Sequence, residues 1–195
     1  MNILLTVGSP RKKSNTYSLA NKFKELAEER GHICDLVDLD YRFYPCSSCG
    51  FCGEYGSDGE YGRCIHDDEL SFVIQRISTV YDCIIIASPI YFFHVSAQTK
   101  VFIDRLNSVD LKDKYIGAIL VSGSGFFDGG SNLMTETLMR TCVYNDAEWI
   151  GVVQKTTNDQ FFPQNPLTIV DIQNLNSLLD SMEGKETVSS CFIRS

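Results

Sequence analysis

Residues Cys83–Ala87, CIIIA, constrain the fold of this chain more than any other stretch. An apolar run without in/out alternation suits a strand covered on both faces, as in a parallel sheet with helices on either side. Similar short runs at Asn2–Val7, Ile33–Leu39, Tyr115–Val121 and Trp149–Val153 read as further strands. Between them, Asn15–Arg30 places Leu19, Ala20, Phe23, Leu26 and Ala27 on one helical stripe, and Gly31 stands where a left-handed cap is preferred. Asp68–Ser78, Ser96–Asn107, Ser131–Tyr144 and Thr168–Met182 are further helical candidates. Five β-α repeats predict a three-layer α/β/α domain with right-handed crossovers and a five-stranded parallel sheet. At 195 residues the chain suits one domain, 1–195, with a sizeable core. One long loop interrupts the pattern, Tyr41–Asp67, 27 residues rich in Cys, Gly and Tyr. Loops that long are usually functional or disordered, and these cysteines and aromatics favour function.

The formal net charge of -8 argues against a nucleic-acid partner, because backbone binding needs a clustered basic face. Arg11, Lys12 and Lys13 form the one basic cluster, in the loop after the first strand, and suit a small anion there. No apolar stretch approaches a membrane span, and Met1 and Asn2 run straight into a strand without signal-peptide features. A cytoplasmic protein is the expectation. In that compartment eight cysteines point to metal, redox chemistry or core packing rather than disulfides.

In parallel sheets of this kind ligands bind beyond the strands' carboxyl ends, where the strand order reverses. The loop after the first strand offers Ser9, Arg11, Ser14, Asn15 and Thr16, short donors leading into a helix N-terminus. First-turn N–H groups and the helix dipole favour an anion there. A Walker A motif and the G-x-G-x-x-G fingerprint are both absent, and no cysteine nucleophile lies between Gly8 and Thr16. What remains is a phosphate that is held and not cleaved. The loop after the third strand, Ser88–Ala97, sets exposed backbone at Pro89–Phe92 beside aromatic rings, with Pro89 fixing the turn. The loop after the fourth, Ser122–Gly130, has glycines that permit close backbone approach. A phosphate in one loop and a flat ring against the other two describe flavin mononucleotide (FMN).

Cys46, Cys49 and Cys52 form C-x2-C-x2-C, and Cys64 follows after eleven residues. Such thiolates can ligate a [4Fe–4S] cluster. Zinc, which prefers paired C-x2-C knuckles, and metal-free thiols are the rival readings. Cys34, Cys83 and Cys142 lie in apolar patterns and read as core, while Cys191 carries no assignment.

The pieces GSPRKKSNT, CSSCGFC…GRCIHDDE and SPIYFFHVSAQTKVFIDRL together resemble the NADPH-dependent FMN reductase group of the flavodoxin-like superfamily, in particular its iron–sulfur flavoprotein branch. That resemblance implies strand order 2-1-3-4-5, with FMN at the switch point. Ser9, Arg11, Ser14, Asn15 and Thr16 would hold its phosphate. Pro89, Ile90, Tyr91 and Phe92 would border the isoalloxazine, with Ser122 and Gly123 on its other side. The segment Gly53–Arg63 departs from the family's compact cysteine run as an insertion before Cys64. The resemblance further implies electron transfer from NAD(P)H to a quinone, a flavin, another small molecule or a protein acceptor, and a homodimer or homotetramer. No obligatory acid or base is visible, and no catalytic residue is named. The alternatives are an electron carrier with FMN and a [4Fe–4S] cluster, and a non-enzymatic binding protein on the same fold.

Overall fold

The computed structural model of the chain describes residues 1–39, 42–53, 64–157 and 166–192, with side chains in the last helix up to Gly184. Most of the insertion, 54–63, and the side chain of Cys191 lie outside the described residues. Five parallel strands form the sheet: β1 (Asn2–Val7), β2 (Ile33–Asp38), β3 (Cys83–Tyr91), β5 (Tyr115–Ser122) and β6 (Glu148–Thr156). Their order is β2-β1-β3-β5-β6, the expected 2-1-3-4-5 once a two-residue strand, β4 (His94–Val95), is counted on the margin of β3. The order reverses between β1 and β3.

Alternation along the buried strands divides the core into two layers. Ile3, Leu5 and Ile85 point to one face, where Phe23 of α1 (Asn15–Glu29) and Leu175 of α6 (Ile169–Phe192) cover them. Leu4, Ile84 and Ile86 point to the other. There they meet Leu70 of α2 (Glu69–Gln75), Ile77 of α3 (Ile77–Val80), Phe102 of α4 (Ala97–Arg105) and Leu138 of α5 (Ser131–Tyr144). Helix α1 ends as its glycine predicts. Gly31, at φ 85°, donates to Glu28 O, and the His32 N–H donates to Ala27 O, the pair of bonds that closes a left-handed cap. Cys34, Cys83 and Cys142 are buried, and burial pushes the Cys34 thiol up to about 12.

Three boundaries differ from the sequence reading. The helix expected over Asp68–Ser78 breaks at Arg76 into α2 and α3. The last helix runs beyond Met182 to Phe192. Most consequentially, Ser88–Tyr91 is strand rather than loop, so Pro89 does not fix a turn. Gly8 N–H donates to Ala87 O, so the Ala87 carbonyl faces β1, and the missing N–H of Pro89, two residues on, faces the side β1 has vacated. A proline is tolerated at that kind of edge. The chain then turns at Phe92 and Phe93, and Val95 pairs back onto Ile90.

Candidate functional site

The carboxyl edge of the sheet opens into a cavity of about 350 Å³, within the range of small-molecule sites. Ser9, Arg11, Ser14, Asn15 and Thr16 line it from the loop after β1 and the start of α1. Pro89, Ile90, Tyr91 and Phe92 line it from the end of β3, and Ser122 and Gly123 from the end of β5. The eleven residues singled out in the sequence thus surround a single space.

Its first wall is built by a helix cap. Ser14 sits in extended backbone before α1, and its Oγ accepts from the Tyr17 N–H. Ser9 Oγ donates to Arg11 O, and the Ser9 and Ser14 hydroxyls lie 3.0 Å apart. The end of an α-helix with its positive dipole therefore faces the cavity. Arg11 is the one charged side chain among the lining residues, in a chain of net charge -8. The rest of the basic cluster does not join it. Lys12 bonds to the Tyr17 hydroxyl and pairs with Asp38 at the end of β2, which raises its pKa against the opposing effect of burial.

A buried hydroxyl network ties this loop to the other two elements. Ser96 caps α4 by accepting from the Thr99 N–H, and its Oγ donates to Gly8 O at 2.5 Å. Thr99 Oγ1 and the Ser96 N–H both donate to Ser88 Oγ, which donates to Pro89 O. The packing demands glycine at position 8, because a Cβ there would lie 1.8 Å from Thr99 Oγ1.

The second wall is strained. Phe92 and Phe93 occupy the hairpin turn at φ 50° and 68°. Left-handed backbone is normal for Asn or Gly in a two-residue hairpin and costly for bulky residues. Gly130, itself at φ 85°, supports the turn, since a Cβ there would meet Phe93 backbone atoms at 2.6–2.9 Å. On the third side Ser122 Oγ donates to Ser124 O and accepts from Gln154 Nε2, and Ser122 O accepts from the Thr157 N–H. Val121 and Thr157 also line the cavity. Thr157 escaped the sequence reading because β6 runs three residues farther than its apolar core, to Thr156.

A second cavity, of about 180 Å³, opens near the carboxyl end of α4. Cys46, Cys49, Cys52 and Cys64 all line it. Left-handed backbone at Ser48 (φ 54°) and Gly50 (φ 77°) winds the first three cysteines around one side. Among the described residues no three Cys, His, Asp or Glu side chains converge as ligands of a single ion. His66, Arg105 and Asn107, which sequence reasoning did not single out, line this cavity as well. Asn107 Nδ2 donates to Cys52 Sγ at 3.3 Å. Arg105 is 2% exposed and forks onto Asp68, with Nη1–Oδ2 at 2.6 Å and Nη2–Oδ1 at 2.9 Å. Burial works to raise the Asp68 pKa. Bonds from Arg105 and from the Ser71 and Tyr44 N–H groups outweigh it and hold the carboxyl well below the usual carboxylate range.

Residues 1–149 match the family described as NADPH-dependent FMN reductase. An iron–sulfur flavoprotein of Archaeoglobus fulgidus is 32% identical over 120 residues, 59% of this chain and 51% of that protein. Another, of Methanocaldococcus jannaschii, is 31% identical over 129 residues, 64% of this chain and 63% of its own length. The chain therefore spans between half and two-thirds of these relatives. Among solved structures, a flavodoxin of Streptococcus pneumonia TIGR4 aligns with a TM-score of 0.62 at 13% identity, covering 95% of this chain and 99% of its own, a likeness of fold. Among the described residues no helix is long and apolar enough to cross a membrane.

Proposed function

Because the chain belongs to the NADPH-dependent FMN reductase family, we propose that it is an FMN-dependent oxidoreductase that takes electrons from a reduced nicotinamide and delivers them to an acceptor. The observation that carries this reading is the 350 Å³ cavity, which brings one cation and a helix N-terminus together with aromatic-flanked backbone. Such a space suits an anionic tail and a flat heterocycle together. In this reading Arg11 and the Ser9, Ser14, Asn15 and Thr16 donors hold the phosphate. Pro89–Phe92 border one side of the ring, and Ser122 and Gly123 the other. The flavin supplies hydride and single-electron chemistry, and the chain's part is to orient it and tune its electronics. A small molecule or a protein is the acceptor, and a homodimer or homotetramer is the proposed assembly.

The test is a visible spectrum of the purified chain after addition of FMN, followed by anaerobic reduction with NADPH and with NADH. A flavin spectrum bleached by either nucleotide supports the reading. No bound flavin would sink it.

A second component is favoured by the four cysteines around one cavity. In this reading they hold a [4Fe–4S] cluster, which adds one-electron transfer and agrees with the likeness to two iron–sulfur flavoproteins. Thiolates of a four-iron cube bind separate irons, so they surround the group without meeting at one point. Iron and acid-labile sulfide in anaerobically purified protein test this. Zinc in their place, or neither metal, would remove the cluster.

A further inference from the structure

The cysteine cavity contains something that its thiols do not explain. Among the described residues four buried side-chain polar atoms lack a hydrogen-bond partner, and two of them, Arg105 Nε and His66 Nε2, belong to residues lining this cavity. A buried donor left unsatisfied costs about 1–3 kcal/mol, more when charged. Arg105 Nε is always a donor.

Neither side chain is free to swing away. Arg105 is locked by its fork onto Asp68 and by a bond from Nη1 to Tyr44 O. The His66 ring stacks on Tyr44, centroids 5.6 Å apart and 19° between planes, and its carbonyl accepts from the Ser71 hydroxyl. Asp68 accepts from the Tyr44 and Ser71 N–H groups, so one carboxylate organises the whole wall. Sulfur is already the partner of one residue here, since Asn107 donates to Cys52. Arg105 also lies within reach of the Cys64 side chain.

We propose that Arg105 and His66 are positioning residues for the cluster, their Nε–H and Nε2–H donating to its sulfurs and raising its reduction potential. The proposal rests on the cluster reading above. Reduction adds one electron to the cluster with no bond made or broken. Donors aimed at sulfur favour the more negative, reduced form, and hydrogen bonds to sulfur are among the determinants of such potentials.

The test is a redox titration of anaerobically purified full-length protein, with dithionite as reductant and electron paramagnetic resonance of the reduced cluster as readout. His66→Phe keeps a flat ring for Tyr44 and removes the donor, whereas His66→Gln returns an N–H near the Nε2 position. Arg105→Lys keeps the charge and removes Nε–H. We expect His66→Phe and Arg105→Lys to lower the reduced-to-oxidised ratio about tenfold at the wild-type midpoint, about 59 mV for one electron, and His66→Gln to restore most of it. Loss of iron from His66→Phe with retention in His66→Gln also supports the role. Wild-type potentials in both His66→Phe and Arg105→Lys would overturn it. Absence of iron and sulfide from the wild type would overturn the cluster reading and this proposal together, and wild-type iron with unmoved potentials would overturn the proposal alone.

Discussion

A helix cap lines the cavity at the sheet edge and another stands behind the wall of the cysteine cavity, bonded to its Arg105, and the two caps do different work. At the sheet edge Ser14 caps α1 with a hydroxyl, leaving the helix end and Arg11 to face the cavity. Behind the cysteine cavity Asp68 caps α2 with a carboxylate that Arg105 shares with the Ser71 and Tyr44 N–H groups. The first cap leaves Arg11 without an acidic residue among the described residues lining the cavity, whereas the second meets its own cation, Arg105, inside the fold. Helix α4 joins the two. Ser96 and Thr99 at its start grip Gly8, and Arg105 at its end grips Asp68, nine helical residues or roughly 14 Å of rise in all.

The largest effect expected is at Asp68. Its side chain and that of Arg105 are 9% and 0% exposed, so Asp68→Asn strands a buried guanidinium. Breaking such a pair costs about 3–5 kcal/mol, and in a chain of this size each 1 kcal/mol lowers Tm by roughly 2–4 °C. A drop on the order of 10 °C, with loss of iron and retention of FMN, would show that the cavities are separable. Equal loss of both would show that α4 couples them. The pH dependence follows from the same group. Asp68 is held below its ordinary pKa, as is Asp171, where bonds from Lys155 and Thr168 overcome burial. A depressed carboxyl stabilises the fold above the unfolded value of about 3.9, and that contribution is lost as pH falls below it toward the folded value. Thermal melts should therefore fall steeply with acid in the wild type and less steeply in Asp68→Asn.

Next comes Gly130→Ala, aimed at the sheet-edge cavity. The new Cβ would press on Phe93 backbone, which cannot rotate away as a side chain end can, and φ 85° is itself unfavourable for alanine. A loss of about 1–3 kcal/mol is expected from overpacking. Flavin affinity should fall with it and iron content should not, as measured by denaturant unfolding and metal analysis.

How much of this contrast was legible beforehand depended on range. The helix starts near Asn15 and Asp68 are local signals, and so are the apolar strands and the glycine after α1, while the capping bonds of Ser14 and Asp68 emerge only in the structure. Strand order followed from the resemblance. The strand character of Ser88–Tyr91 was hidden by Pro89, whose tolerance there depends on β1 ending at Val7. Arg105 was hidden more deeply. It meets Asp68 across 37 residues, and nothing near it in the chain marks an arginine that the fold buries completely.

Arg11→Gln should act on the ligand alone. Arg11 is exposed and, among the described residues, the lone cation lining the cavity, so fold stability should stay near wild type. Losing a charge-assisted bond to phosphate costs about 1.5 kcal/mol at the low end, roughly tenfold in Kd. Fluorescence titration with FMN and with riboflavin sharpens this, since riboflavin lacks the phosphate and should bind both proteins alike.

The smallest effect separates two duties of one atom. Ser14 Oγ accepts from the Tyr17 N–H and sits 3.0 Å from Ser9 Oγ on the cavity wall. Ser14→Ala removes both the cap and the hydroxyl and should cost about 1 kcal/mol of stability. Ser14→Asp keeps a good cap and complements the helix dipole, so its melting temperature should stay at or above wild type. Its added negative charge would face the phosphate, so FMN should bind more weakly than to Ser14→Ala, most clearly at low salt. A Ser14→Asp protein that binds FMN as tightly as wild type would mean the phosphate lies away from α1, and the contrast with Asp68, an acidic cap tolerated because Arg105 answers it, would lose its basis.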